Sequence, residues 1–277
     1  MLRTSPLQIV PADLKILSMI RHVDLVMYLV AVKSFYQRIG FGEIVLIDDG
    51  TLHQNDYEII GHHLGSPQII PLDRITTDPC PRGGCWERLL SVVDFSSKYF
   101  VIQLDSDTLT RGEIPEVLEC VKTNRSFALG TQTGREFVSL AEASARVGTT
   151  RGSLHVQTEA EKNLHRISNS STKYYVRASA GFAGFAKGAF SRDHVVAFSQ
   201  SMAGIIGEKW KEWGSEQVAS NYLVANSPMP IVLPFPKYRC FRSQVDPRSA
   251  AFLHFVGTHR YDQGVYTRES ESVIRRL

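Results

Sequence analysis

The sequence predicts an α/β protein built on a mostly parallel central sheet with helices on both faces. Three observations predict it. Short apolar runs alternate with amphipathic stretches through the first 130 residues. Two of those runs end in paired acids, where open parallel sheets bind their ligands. The composition, 43% hydrophobic and 21% charged over 277 residues, is that of an ordinary globular protein and not of a disordered chain.

In chain order, "LKILSMI" (14–20) reads as a strand. "VDLVMYLVAVKSFYQRIG" (23–40) carries apolar residues at helical spacing and stops at Gly40. "EIVLIDDG" (43–50) is a strand closing on Asp48 and Asp49, "NDYEIIGHHLG" (55–65) a helix, and "PQIIPL" (67–72) a strand. "CWERLLSVVDFS" (85–96) is a helix and "KYFVIQLDSD" (98–107) a strand. Beyond residue 130 the alternation stops. "SLAEASARVG" and "LHVQTEAEKNLHRI" predict helices, with "GTTRGS" and "SNSSTK" as loops. "YYVRASAGFAGFAKGAF" (174–190) has strand character broken by Gly181, Gly184 and Gly188. "KEWGSEQVASNYLVAN" (211–226) predicts a helix begun at Ser215. The expected organisation is one domain: residues 14–130 form the ligand-binding half of the sheet, and 131–277 complete a cleft above it.

Composition narrows the function. A formal net charge of +3 with no block of five like charges argues against nucleic-acid binding. The four cysteines lack zinc-site spacing and read as ordinary thiols. No signal-peptide pattern and no run of 18 apolar residues occurs, so the expectation is a cytosolic protein, at most peripheral to a membrane.

The chemistry concentrates in "LDSDTL". Asp105 and Asp107, separated by Ser106, follow a buried-strand pattern, and two carboxylates held so close repel unless a cation or a set of donors lies between them. Two further segments, "WGSEQVASNYL" (213–223) and "FLHFVGTHRYD" (252–262), carry polar residues at fixed offsets near the other end of the chain.

Together these segments resemble the glycosyltransferases of the GT-A fold, most closely the retaining family-eight type that uses nucleotide-diphosphate sugars, over roughly residues 14–265. The resemblance implies that Asp105 and Asp107 form the metal-binding D-x-D motif, with Ser106 in the donor site. It places His254, Gly257 and Arg260 in the H-x-x-G-x-x-K segment: His254 as third ligand to Mn²⁺ or Mg²⁺, Gly257 admitting the diphosphate, and Arg260 supplying the cation in place of lysine. Tyr261-Asp262 departs from the Pro-Trp that usually follows. Glu216 and Gln217 match the acid and glutamine presented to the anomeric carbon, while Val218 replaces the aspartate that commonly follows. In the retaining reading Gln217 stabilises an oxocarbenium-like centre; in an inverting reading Glu216 is the general base. Arg88 matches an arginine that reaches the donor. Ser179, Ala180 and Gly181 match the segment against which the donor sugar lies, and Asp48 and Asp49 resemble the base contact of family-two GT-A enzymes.

The implied function is metal-dependent transfer of a sugar, from UDP as the expected carrier, to a glycan or glycolipid acceptor. A degenerate transferase acting as a sugar-nucleotide or glycan binder is the non-enzymatic alternative. A sugar-nucleotide pyrophosphorylase would need a glycine-rich loop after the first strand, and "SMIRHVDLVMYL" has none.

Overall fold

A computed structural model describes residues 1–147, 155–243 and 246–277. The first half alternates as the sequence predicts: β1 (Leu14–Ile20), α1 (Leu25–Ile39), β2 (Glu43–Asp48), α2 (Gln54–Leu64), β3 (Gln68–Pro71), α3 (Trp86–Ser96) and β4 (Phe100–Leu104). Short β5 (Thr108–Thr110) follows, then α4 (Pro115–Thr123) and β6 (Phe127–Gly130). The remainder comprises β7 (Val138–Ser139), α5 (Leu140–Val147), α6 (Val156–Asn163), β8 (Tyr174–Tyr175), β9 (Ala178–Phe185), α7 (Arg192–Ile206), α8 (Ser215–Ala225), β10 (Ile231–Val232), β11 (Tyr238–Cys240), β12 (Phe252–His254) and α9 (Val265–Ile274).

Seven strands form the main sheet in the order β10-β6-β9-β4-β1-β2-β3. Within it β9 alone runs antiparallel to its neighbours β4 and β6. The chain builds outward from β1 through β2 to β3, then crosses to β4 on the other side of β1, which creates a crevice at the carboxyl ends of β1 and β4. Period-two alternation divides the core. Ile16, Ile44, Leu46, Ile102 and Leu104 pack on one face; Leu17, Val45, Ile47 and Val101 pack on the other against α3 and α8.

Local chemistry sets the element ends. Gly40 and Gly65 terminate α1 and α2 at φ 80° and 69°, where a side chain would be strained. Pro115 opens α4, where its missing N–H costs no hydrogen bond. The start of α1 is preceded by a short 3₁₀ turn, so the helix begins at Leu25 and not at residue 23. The α8 helix begins at Ser215 as expected, but Gly214 occupies the cap position and Ser215 Oγ instead accepts a bond from Trp86 Nε1 at 2.9 Å.

One expectation is corrected. Gly181 and Gly184 do not break the 174–190 segment, because β9 runs unbroken through both. A Cβ on Gly184 would overlap the Phe127 ring, and one on Gly181 the His254 ring, so these glycines admit a close neighbour and do not end a strand. The α5 helix matches "SLAEASARVG" up to residue 147. The "GTTRGS" loop lies outside the described residues. Among the described residues, no helix is long and apolar enough to cross a membrane.

Candidate active site

The site forms because two distant segments meet in a second, three-stranded sheet, β11-β12-β5. The chain leaves β4 at Asp105 and re-enters pairing at Thr108, and β12 runs antiparallel to β5 with His254 opposite Thr108. Phe255 N donates to Asp107 O at 2.8 Å and Asp105 N to Gly181 O at 2.9 Å, so backbone bonds hold both ends of the D-x-D turn. This pairing brings His254 to the two aspartates.

One ligand atom from each of Asp105, Asp107 and His254 can be chosen so that all lie within 4.8 Å of one another. His254 Nε2 is 3.0 Å from Asp107 Oδ1 and 3.9 Å from Asp105 Oδ2. Its Nδ1 is 2.9 Å from Ser179 Oγ, which fixes the ring plane. Gly181 leaves the space the ring occupies. Burial opposes charge on His254, but Asp107 beside it outweighs burial and holds the imidazole pKa well above its ordinary value. Burial acts to raise Asp107, but His254 and Arg260 lower it below the usual carboxylate range.

Two arginines share the acids. Arg88, on α3, bonds Asp105 through one Nη and Glu216 through the other, the latter at 2.9 Å. Arg260 Nη2 lies 3.3 Å from Asp107 Oδ2, and its Nε donates to Gly257 O at 2.9 Å. Gly257 itself sits at φ 57°, a left-handed conformation that suits glycine. Three buried or half-buried carboxylates thus face two guanidiniums and an imidazole. One arginine divided between Asp105 and Glu216 cannot neutralise both. Burial pushes Glu216 up to about 7 and raises Asp105 as well, with Arg88 opposing both shifts.

Gln217, in the first turn of α8, has its amide orientation set by two bonds. Its Oε1 accepts from Ala180 N at 3.2 Å, and its Nε2 donates to Gln157 Oε1 at 3.0 Å. Gln157 in turn donates to Glu161 at 3.1 Å, and Glu161 also takes Tyr175 OH and Arg177. Asn221 Nδ2 bonds Ala178 O at 2.9 Å, tying α8 to β9. A cavity of about 330 Å³ opens beside Gln217 and Ser179, lined also by Gln157, Arg177, Cys240 and Arg242.

The structure therefore brings together Asp105, Ser106, Asp107, His254, Arg260, Arg88, Glu216, Gln217 and Gly181. Asp48 and Asp49 stand apart from this cluster at the carboxyl end of β2, two strands away, where their side chains also hold the local turn. Asp48 accepts from Gly50 N at 2.8 Å and Tyr57 OH at 2.5 Å, and Asp49 from Thr51 N at 3.0 Å. The sequence reading missed Gln157, Glu161, Arg177 and Cys240. Cys240 pairs in register with His254 across β11 and β12, which no spacing rule for cysteine reveals. All four cysteines are free thiols.

No protein-family model and no curated protein matches this sequence. Solved structures do. The galactosyltransferase LgtC, determined with donor and acceptor sugar analogues, aligns over 93% of this chain and 95% of its own, with a TM-score of 0.53 at 11% identity. The glycosyltransferase GlyE of Streptococcus pneumoniae, in its apo form, aligns over 95% of this chain and 62% of its own, with a TM-score of 0.52 at 13% identity. With its mostly parallel seven-stranded sheet, flanking helices and Asp105-Ser106-Asp107 turn, this chain has the fold of the GT-A nucleotide-diphospho-sugar glycosyltransferases.

Proposed function

We propose that the protein is a metal-dependent glycosyltransferase that moves a sugar, a hexose carried on UDP, to an acceptor hydroxyl with retention of configuration. The observation that carries this reading is the convergence of Asp105, Asp107 and His254 at the crevice of a GT-A sheet. The donor set fits Mn²⁺ or Mg²⁺: two carboxylates and an imidazole, with acid in excess of guanidinium charge around them. A divalent cation held there supplies the positive charge that neutralises a departing diphosphate. Arg260 and Arg88 add guanidinium charge beside it, and Gly257 and Ser106 give the diphosphate close access.

Gln217, fixed by Ala180 and Gln157, offers its carbonyl oxygen to the oxocarbenium-like centre. The bond from the anomeric carbon to the phosphate oxygen breaks, the bond to the acceptor oxygen forms, and the acceptor proton passes to the departing phosphate. Residues 14–130 supply the nucleotide half of the site, with Asp48 and Asp49 toward the base. Residues 131–277 supply the acceptor half, for a glycan or glycolipid in polysaccharide assembly at the cytosolic side of a membrane.

The raised pKa of Glu216 favours one second reading, inversion with Glu216 as general base. The experiment is a thermal-shift panel of nucleotide-diphosphate sugars with and without Mn²⁺, on the parent and Asp107→Ala, followed by NMR of the product anomer. Metal-dependent stabilisation by one donor that Asp107→Ala abolishes is expected, with the product retaining the donor configuration. No stabilisation by any donor contradicts the transferase reading, and an inverted product contradicts retention alone.

A further inference from the structure

The cavity beside Gln217 has a chemical character that metal-dependent sugar transfer does not require. It touches the cluster's surroundings at Ser179, Gln217 and Cys240, and neither Asp105 nor Arg88 lines it. Its remaining polar walls are Thr131, Gln132, Thr133, Gln157, Arg177 and Arg242. Amides and hydroxyls suit sugar hydroxyl groups. The two guanidiniums do not need to be there for a neutral sugar, and no carboxylate lines the cavity.

The two arginines are set differently. Arg177 is held by Glu161, whose side chain is 3% exposed against 37% for Arg177, so the acid lies behind the arginine and faces the neighbouring cavity. Burial lowers the Arg177 pKa from its ordinary value, which marks a partly desolvated cation. Arg242 is half-buried, and among the described residues no carboxylate pairs with it. A guanidinium at the wall of a concave polar pocket without an acid partner is the arrangement that holds a carboxylate or phosphate through paired N–H donors.

We propose that this cavity is an acceptor subsite that selects an anionic sugar, one bearing a carboxylate or a phosphate, with Arg242 as the anion-binding residue and Arg177 beside it. The inference rests on the transferase reading, since an acceptor subsite presupposes a donor site.

The test is ligand-observed saturation-transfer NMR with three probes: methyl β-D-glucuronide, glucose 6-phosphate and the neutral methyl β-D-glucoside. Each is titrated at matched ionic strength, with and without UDP and Mg²⁺, against the parent, Arg242→Gln and Arg242→Lys. At least one anionic sugar should bind about tenfold more tightly than the neutral glucoside. Arg242→Gln should bring that preference within about twofold while Arg242→Lys keeps part of it, because lysine preserves the charge without the paired donors. Preference for the glucuronide identifies a carboxylate, and preference for the phosphate ester a phosphate. Equal affinity for all three sugars, binding of none, or a preference that survives Arg242→Gln overturns the inference. The UDP signal in the same samples reports the donor site separately. UDP bound without anion preference overturns only the inference, and UDP that does not bind overturns the reading on which it rests.

Discussion

Gly181→Ala is the substitution for which the structure gives the sharpest expectation. A Cβ there would stand 2.5 Å from both His254 Nδ1 and Nε2, and closer still to Cε1. Contact with three ring atoms cannot be relieved by turning one tip, and the ring is pinned by Ser179 on one side and Asp107 on the other. His254 must therefore leave its place. Overpacking a buried site costs about 2 kcal/mol, and losing a charged histidine–carboxylate bond costs about 2 more. Lower unfolded-state entropy favours alanine by under about 1 kcal/mol, too little to offset this. The melting temperature should fall by on the order of 10 °C. Stabilisation by Mn²⁺, measured by differential scanning calorimetry, should vanish with it, because one of the three proposed ligands is displaced. Gly204→Ala, where a Cβ meets nothing within 4 Å, is the control and should leave both quantities unchanged or slightly improved. A Gly181→Ala protein that melts within about 1 °C of the parent and keeps its metal response would refute the packing of His254 on β9.

Three other outcomes follow from the charge arrangement. Arg88→Met leaves Asp105 and Glu216 buried without their shared cation, and urea unfolding should show a loss of about 3–5 kcal/mol. Glu216, raised from 4.5 to about 7, keeps in the folded state a proton that the unfolded chain has lost. Its contribution is therefore full below about pH 4.5 and is lost as pH rises to about 7, a decrease of about 3 kcal/mol. Urea titrations across that window should find the decrease absent in Glu216→Gln. Gln217→Ala should reduce transfer by about 10²–10³-fold in a UDP-release assay while stability changes by only about 1 kcal/mol.

Much of the fold was legible because its cause is local. The runs of β1, β2 and β4 are largely apolar on both faces, as strands covered on two sides must be, while β3 at the sheet edge is partly exposed, and glycines mark the ends of α1 and α2. The α7 helix was not read from its sequence. Its buried face is only Val195, Phe198, Ser199 and Met202, while Val196, Ala197, Ala203, Ile205 and Ile206 scatter further apolar residues around it, so no clean stripe marks it and it owes its place to packing against the rest of the chain. The glycines of β9 misled for a related reason. Their task is set by Phe127 and His254, which approach from distant segments. In the site, the D-x-D turn and the His254 segment were legible as motifs. The route that joins them, antiparallel pairing of β5 with β12, is tertiary, as is the chain from Gln217 through Gln157 to Glu161 and Arg177.

The decisive measurement is isothermal titration of UDP into the protein, with Mn²⁺ and then with EDTA, on the parent and on Asp107→Asn. Saturable binding to the parent that requires the metal is expected, with a loss of at least about tenfold in affinity for Asp107→Asn. UDP bound equally well in EDTA, or by Asp107→Asn as by the parent, would contradict the assignment of Asp105, Asp107 and His254 as the metal-holding centre of a donor site.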